Sequence, residues 1–230
     1  MERLSKETYN NKEMVSSYED RYINHPFVKD ESAFELNLIE SLTRKNKTSS
    51  WCDVACGTGY HLRNARGNYK RFGIDASSLM VESYKRKTKY KVEYHIEDLL
   101  SFKVNETYDL VTNFWFGYSH QETLDQVINF FEKMTELTAK QGSIILSFHD
   151  QWSLFKKIPK DTPEPLGGIF SFNAIEWSYS EPNNPECVYK CISPHTDLIV
   201  KTFAPYFYKH RIIDYPKHKG RRILLLEGKL

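Results

Sequence analysis

Apolar and polar positions along this chain follow two periods that take turns. Short apolar runs at Ser50–Cys56, Lys70–Ile74, Lys91–Ile96, Tyr108–Phe114 and Ser143–Phe148 have the length of buried strands. Between them the spacing becomes helical. A helix is predicted to start near Tyr60. A second runs from Ser77 or Ser78, either of which can cap it, to about Lys87. A third spans Glu122–Leu137, with Leu124, Val127, Ile128, Phe131, Met134 and Leu137 on one face, and Gln141-Gly142 then turns the chain into the fifth strand. Strand and helix alternating at this cadence predict an α/β fold. The sheet is mostly parallel, covered on both faces, and doubly wound because crossovers are right-handed.

The flanks read differently. Residues 1–50 are expected to be helical, with Phe34, Leu36, Leu38, Ile39 and Leu42 marking a helix over Ser32–Leu42 and Thr43–Ser50 a polar connector. After Phe148 prolines concentrate. Two strand-like runs, Ile169–Tyr179 and Glu186–Ile192, flank a Pro-Asn-Asn-Pro turn, which suggests an irregular, partly antiparallel cover. Asp197–Phe203 reads as a helix, and Phe207–Tyr215 and Arg222–Glu227 as closing strands joined by a basic turn. The expected organisation is one domain over 1–230: a helical cap (1–50), a ligand-binding core (51–150), a substrate-side lid (151–195) and a closing helix and strands (196–230).

Composition narrows the classes. With 230 residues, 40% hydrophobic and 14% aromatic, the chain can bury a sizeable core, which excludes disordered and fibrous classes. A formal charge of +2 predicts no strong field and gives little support to a polyanionic partner; nucleic acid is not expected. No apolar stretch reaches the ~18 residues a membrane span needs. The N-terminal residues are polar and charged, unlike a signal peptide, so a cytoplasmic location is expected. Cys52, Cys56, Cys187 and Cys191 are read as thiols. The series Cys187, Cys191, His195 lacks the CxxC spacing and a fourth ligand, so no metal is expected.

The chemistry concentrates at successive strand ends. Asp53-Val-Ala-Cys-Gly-Thr-Gly59 follows an apolar strand and precedes a helix. Glycines at Gly57 and Gly59 let backbone approach a ligand closely, and the helix start offers unpaired N–H donors. Asp75 ends the next strand, where a carboxylate can accept both hydroxyls of a ribose; Asp98 ends the third, where one can accept from an exocyclic adenine amine. Together they describe a nucleoside cradle. A dinucleotide would call for a third glycine where Leu62 stands, which argues against NAD.

The ordered set DVACGTG, GIDAS, EDLLSF, YDLVTNFWFGY and QGSIILSF resembles the class I S-adenosylmethionine-dependent methyltransferases over roughly residues 51–150. DVACGTGYHL is especially similar to the small-molecule N-methyltransferases that act on amino sugars, which carry alanine at the position of Ala55 where many other relatives have glycine. The resemblance implies a Rossmann-like seven-stranded sheet, with S-adenosyl-L-methionine as cofactor and S-adenosyl-L-homocysteine as product. It implies that Ala55, Gly57 and Gly59 pass under the amino-acid part of the cofactor, that Asp75 holds the ribose, and that Asp98 and Leu99 face the adenine. It places Asn113 and Phe114 near the sulfonium. An N-terminal tyrosine, for which Tyr18 is the first candidate and Tyr9 and Tyr22 the alternatives, would cap the methionine carboxylate.

Methyl transfer needs an acceptor held in line and, for some acceptors, a base. Candidates lie after the fourth and fifth strands: Tyr118, His120 and His149, the last beside Asp150. Trp115, Phe116 and Tyr118, with Trp152, Phe155, Phe170, Phe172 and Trp177 from the lid, are candidate walls of an acceptor pocket, which suits a ring-shaped ligand or an amine. Asn113-Phe-Trp-Phe116 lacks both prolines of the signature of enzymes that methylate planar nitrogen in DNA or protein amides, and Lys217–Arg222 reads as a solvated turn. The expected function is methylation of an amine or hydroxyl of a small molecule by a monomer or homodimer. The alternatives are a non-catalytic S-adenosylmethionine-binding regulator of the same fold, or a nucleic-acid or protein methyltransferase.

Overall fold

The computed structural model describes residues 9–26, 28–85, 87–150, 173–181, 184–217 and 220–230. The first two elements among the described residues are helices, α1 (Lys12–Tyr22) and α2 (Lys29–Asn46). Asn11 caps α1, its side-chain oxygen accepting from the backbone N–H of Glu13 at 2.9 Å and Met14 at 3.3 Å. α2 runs on through Thr43–Asn46, four residues the sequence pattern assigned to a connector. Arg44 and Lys45 complement the negative end of the helix, and Lys47, at φ 52°, closes it.

The core then alternates as expected: β1 (Ser50–Val54), α3 (Tyr60–Asn64), β2 (Lys70–Asp75), α4 (Ser78–Lys85), β3 (Val92–Ile96), β4 (Tyr108–Asn113), α5 (Leu124–Leu137) and β5 (Thr138–His149). β5 starts directly where α5 ends, earlier than the apolar run at Ser143 implies. A 3-10 turn, Gly117–His120, lies between β4 and α5. β6 (Ala174–Glu181) and β7 (Asn184–Pro194) form a separate antiparallel hairpin, followed by α6 (Thr196–Phe203), β8 (Phe207–Asp214) and β9 (Arg221–Lys229).

Seven strands make one sheet in the order β3-β2-β1-β4-β5-β9-β8. β1 to β5 are parallel, and β9 inserts antiparallel between β5 and β8. The chain leaves β1 toward β2 on one side and returns to β4 on the other. Strand order therefore reverses between β1 and β4, where open α/β sheets form ligand crevices.

Strand alternation sorts the core onto two faces. Val54, Val111, Ile144, Leu146, Leu224 and Leu226 pack with Phe131 and Met134 of α5 and Phe203 of α6. Trp51, Leu110, Ile145, Ile223 and Leu225 pack with Ile39 and Leu42 of α2 and Leu62 of α3. Among the described residues no helix is long and apolar enough to cross a membrane. His195 spends its Nδ1 on capping α6, accepting from the N–H of Asp197 at 3.1 Å; Cys191 is a free thiol, and the side chain of Cys187 lies outside the described residues.

Candidate active site

At the strand-order reversal two adjoining cavities open. The first is lined by Ala55, Gly57, Asp75, Asp98, Leu99 and Phe114 among others. The second is lined by Tyr22, Phe116, Trp177, Tyr189 and Cys191 among others. Tyr9, Tyr18, Trp115 and His120 line both. A smaller recess under the glycine turn is lined by Tyr18, Asp53, His61, Phe114 and Trp115.

The floor of the first cavity is the turn after β1. Ala55 and Gly57 adopt φ of 49° and 55°, a left-handed conformation that a glycine takes freely and an alanine only at a cost. A Cβ on Gly57 would meet Met80 Cε at 3.2 Å. Gly59 has another job: at φ 68° it starts α3, and a Cβ there would lie 2.5 Å from Tyr94 Oη, so it faces Tyr94 rather than either cavity.

Asp75 lies at the tip of β2. One carboxylate oxygen accepts from Gly57 N–H at 2.6 Å and the other from Ser77 N–H at 2.8 Å, which ties two loops together. Burial raises its pKa, and the two N–H donors oppose that shift. Each oxygen keeps lone-pair capacity for a hydroxyl donor. Asp98 similarly organises its own loop, accepting from Leu100 N–H at 3.0 Å.

Beneath the turn, Asp53 is buried and accepts from Thr112 Oγ1–H at 2.5 Å; Thr112 in turn accepts from Trp51 Nε1–H at 2.9 Å. Burial pushes the Asp53 carboxyl up to about 6, against the pull of nearby His61 and the Thr112 hydrogen bond. His61 stacks on Phe114 with centroids 4.2 Å apart and bonds Glu35 at 2.8 Å.

Asn113 and Phe114 part company. Phe114 lines the first cavity, whereas Asn113 is fully buried and donates its Nδ2–H to the Val54 carbonyl at 2.8 Å, linking the ends of β4 and β1. Asn113 is the last residue of β4 and Phe114 the first beyond it, and of the two only Phe114 lines the crevice.

The three candidate bases also separate. His120 lines both cavities, with Nε2 3.2 Å from Tyr9 Oη and Nδ1 3.9 Å from Cys191 Sγ. Burial pushes its pKa down to about 4, which keeps the imidazole neutral near pH 7. Tyr118 is fully buried against Phe131, centroids 5.0 Å apart, and its pKa is raised by desolvation; it lines neither cavity. His149 lies flat on Phe116 at 3.8 Å and edge-on to Trp177 at 5.8 Å, behind the wall instead of in it. Its neighbour Asp150 pairs with Arg222 at 3.2 Å.

Of the proposed walls, Trp115, Phe116 and Trp177 line the second cavity, while Trp152, Phe155, Phe170 and Phe172 lie outside the described residues. Trp177 is oriented by donating to Ser193 Oγ at 2.9 Å. Sequence reasoning missed Tyr189 and Cys191, whose alternation along β7 was the available signal. Tyr9 and Tyr18 both reach the site, and Ser77 donates to the Tyr9 carbonyl at 2.6 Å, fixing that segment over the cleft. Burial raises the pKa of both phenols, so they are neutral.

Residues 52–142 match a family model described as a methyltransferase domain. A dTDP-4-amino-2,3,4,6-tetradeoxy-D-glucose N,N-dimethyltransferase of Saccharopolyspora spinosa is 31% identical over 105 residues, 45% of this chain and 42% of that relative, so the match spans less than half of either. Solved proteins of low identity share the fold. The DhpI–SAH complex has a TM-score of 0.65 at 16% identity over 98% of this chain and 95% of that one. The N-methyltransferase NodS of Bradyrhizobium japonicum WM9, in complex with S-adenosyl-L-homocysteine, has 0.64 at 10% over 98% and 99%. DesVI of Streptomyces venezuelae has 0.56 at 17% over 86% and 92%.

Proposed function

We propose that this chain is a class I methyltransferase that moves a methyl group from S-adenosyl-L-methionine to the amine of a small molecule, a reading supported by its fold and by the match of residues 52–142 to a methyltransferase domain. The observation that carries this reading is the pair of adjoining cavities, one floored by a glycine turn and acidic strand ends, the other aromatic, that share Tyr9, Tyr18, Trp115 and His120. The residues fit an adenosyl ligand: Gly57 leaves space that a Cβ would fill, and Asp75 presents a half-buried carboxylate to the cleft. Ala55, Gly57, Asp75, Asp98, Leu99 and Phe114 would hold it. The cofactor, when bound, supplies a methyl group activated by positive sulfur.

The protein's own part is positioning and exclusion of water. Tyr9, Tyr18 and Trp115 separate the cofactor cleft from the chamber in which the acceptor is held. That chamber favours nitrogen over oxygen. A hydroxyl needs a base to remove its proton, and His120, pushed down to about 4, is a weak one. An amine leaving water for a desolvated aromatic chamber sheds its proton readily, and the charge it gains on methylation faces Tyr, Trp and Phe rings that stabilise a cation. The N-methyltransferase names among the relatives support the same choice.

Calorimetry with S-adenosyl-L-homocysteine and with NAD tests the cofactor, and mass spectrometry of a panel of paired amines and alcohols incubated with S-adenosylmethionine tests the acceptor. Binding of the first nucleoside only, and methylation confined to amines, is the expected result. Equal binding of NAD, or methylated alcohols alone, would overturn it.

A further inference from the structure

Arg221 belongs to the basic run that the sequence places on a solvated turn, yet it is buried, only 3% exposed. It opens β9 and projects between α2 and the loop after β4. Its Nη1 pairs with Glu31, and its Nη2 lies 4.0 Å from Glu35. Three rings surround the guanidinium: Trp115 at 4.3 Å, Phe116 at 4.9 Å and Tyr215 at 5.0 Å from their centroids. It lines neither cavity.

The rings it touches are the unusual part of the backbone. Trp115 and Phe116 are consecutive and both left-handed, at φ 57° and 59°. Such a conformation is strained for a residue with a side chain and persists only where its surroundings over-determine it. One side is supplied by Gly117, where a Cβ would fall 2.5 Å from Ala55 Cβ, and by His149 stacked on Phe116. Arg221 adds its guanidinium, whose central carbon lies 4.3 Å from the Trp115 centroid and 4.9 Å from that of Phe116. A buried ion pair is a poor source of stability, because desolvating two charges offsets their attraction. What a planar guanidinium anchored by Glu31 does provide is a fixed position for two aromatic faces.

We infer that Arg221 is a positioning residue, which holds Trp115 and Phe116 in their strained conformation and so sets the partition between the nucleoside cleft and the acceptor chamber. The inference rests on the functional reading above, since Trp115 lines both cavities. Two variants test it. Arg221→Lys keeps the charge and loses the planar guanidinium. The double variant Arg221→Met with Glu31→Leu removes the pair without leaving Glu31 ionised, while Glu35 keeps His61 and Tyr215.

The double variant is expected to melt at or above the wild-type temperature, while its affinity for S-adenosyl-L-homocysteine falls about tenfold. Its near-ultraviolet tryptophan dichroism should weaken, and the same substitutions in a Trp115→Phe background should produce no further weakening. Arg221→Lys should move both readouts in the same direction. A folded double variant with wild-type affinity and dichroism would overturn the inference, as would a dichroism change that persists without Trp115. A wild type that ignores S-adenosyl-L-homocysteine would sink the cofactor reading, and the dichroism of the free protein would still decide the role of Arg221.

Discussion

Tyr9 Oη and His120 Nε2 meet 3.2 Å apart, one from the segment before α1 and the other from the 3-10 turn after β4, and both side chains line both cavities. Their rings lie edge to face, with centroids 5.3 Å apart. This polar contact between neutral groups ties the N-terminal segment to the turn after β4, beside the Ser77 hydrogen bond to the Tyr9 carbonyl. A double-mutant cycle with Tyr9→Phe and His120→Asn should show a coupling of about 0.5–1.5 kcal/mol in urea denaturation. Strict additivity would mean that the contact does not hold the cap.

The pH dependence of His120 has a definite sign. Its folded pKa, about 4, lies below the ordinary imidazole value of 6.5, so its contribution is fully present above pH 6.5 and is lost as pH falls through 4. Wild-type stability should decline over that window by on the order of 2 kcal/mol more than that of His120→Asn. Urea titrations at pH 7, 5.5 and 4.5 read the difference, and parallel curves would refute it.

Asp53 behaves in the opposite sense. Its carboxyl is raised to about 6 from the ordinary 3.8, so it favours folding most at low pH and loses that contribution as pH rises through 6. Asp53→Asn should therefore gain stability relative to wild type between pH 5 and pH 8. A variant that loses stability relative to wild type over this interval would contradict the assignment.

Asp75 cannot be replaced by its amide without loss. An asparagine at this position has one acceptor oxygen, whereas Asp75 uses two to receive Gly57 and Ser77 N–H. Asp75→Asn is expected to weaken S-adenosyl-L-homocysteine binding by roughly tenfold or more in calorimetry, and to lower the melting temperature by a few degrees. Unchanged affinity would remove Asp75 from the ligand site.

Gly117 and Ala55 form a steric pair. Gly117→Ala places its Cβ 2.5 Å from Ala55 Cβ and 2.9 Å from Asn113 Nδ2, which should cost about 1–3 kcal/mol. Adding Ala55→Gly removes the clash with Ala55 and relieves a non-glycine residue at φ 49°, so the double variant should recover part of the loss. Denaturation midpoints of the two variants decide this, and a double variant worse than the single one would refute it.

Much of the fold was legible because strand and helix periods are local. Burial on both faces produced the apolar runs of β1, β4 and β5, and one-sided burial produced the stripe of α5. The same locality accounts for the misplaced boundaries. Thr43–Asn46 is polar but remains helical because α2 continues until Lys47 turns left-handed. The positions of the glycine turn and of Asp75 at a strand tip were legible because loop conformation and strand ends leave signatures in single residues. The side-chain directions of Asn113, Tyr118 and His149 were not, because side-chain direction within a short turn depends on what packs against it.

From the sequence alone came the alternation that specifies the doubly wound core, the glycine turn, and the acidic tips of β2 and β3, since each is a property of a few consecutive residues. Only the tertiary structure decided that Tyr9 meets His120 across 111 positions, that Tyr118 turns into the core, and that Arg221 leaves its basic neighbours to lie under Trp115. Periodicity tells a residue which face to bury. It carries no information about which distant residue will be waiting there, and that pairing is what makes one wall serve two chambers.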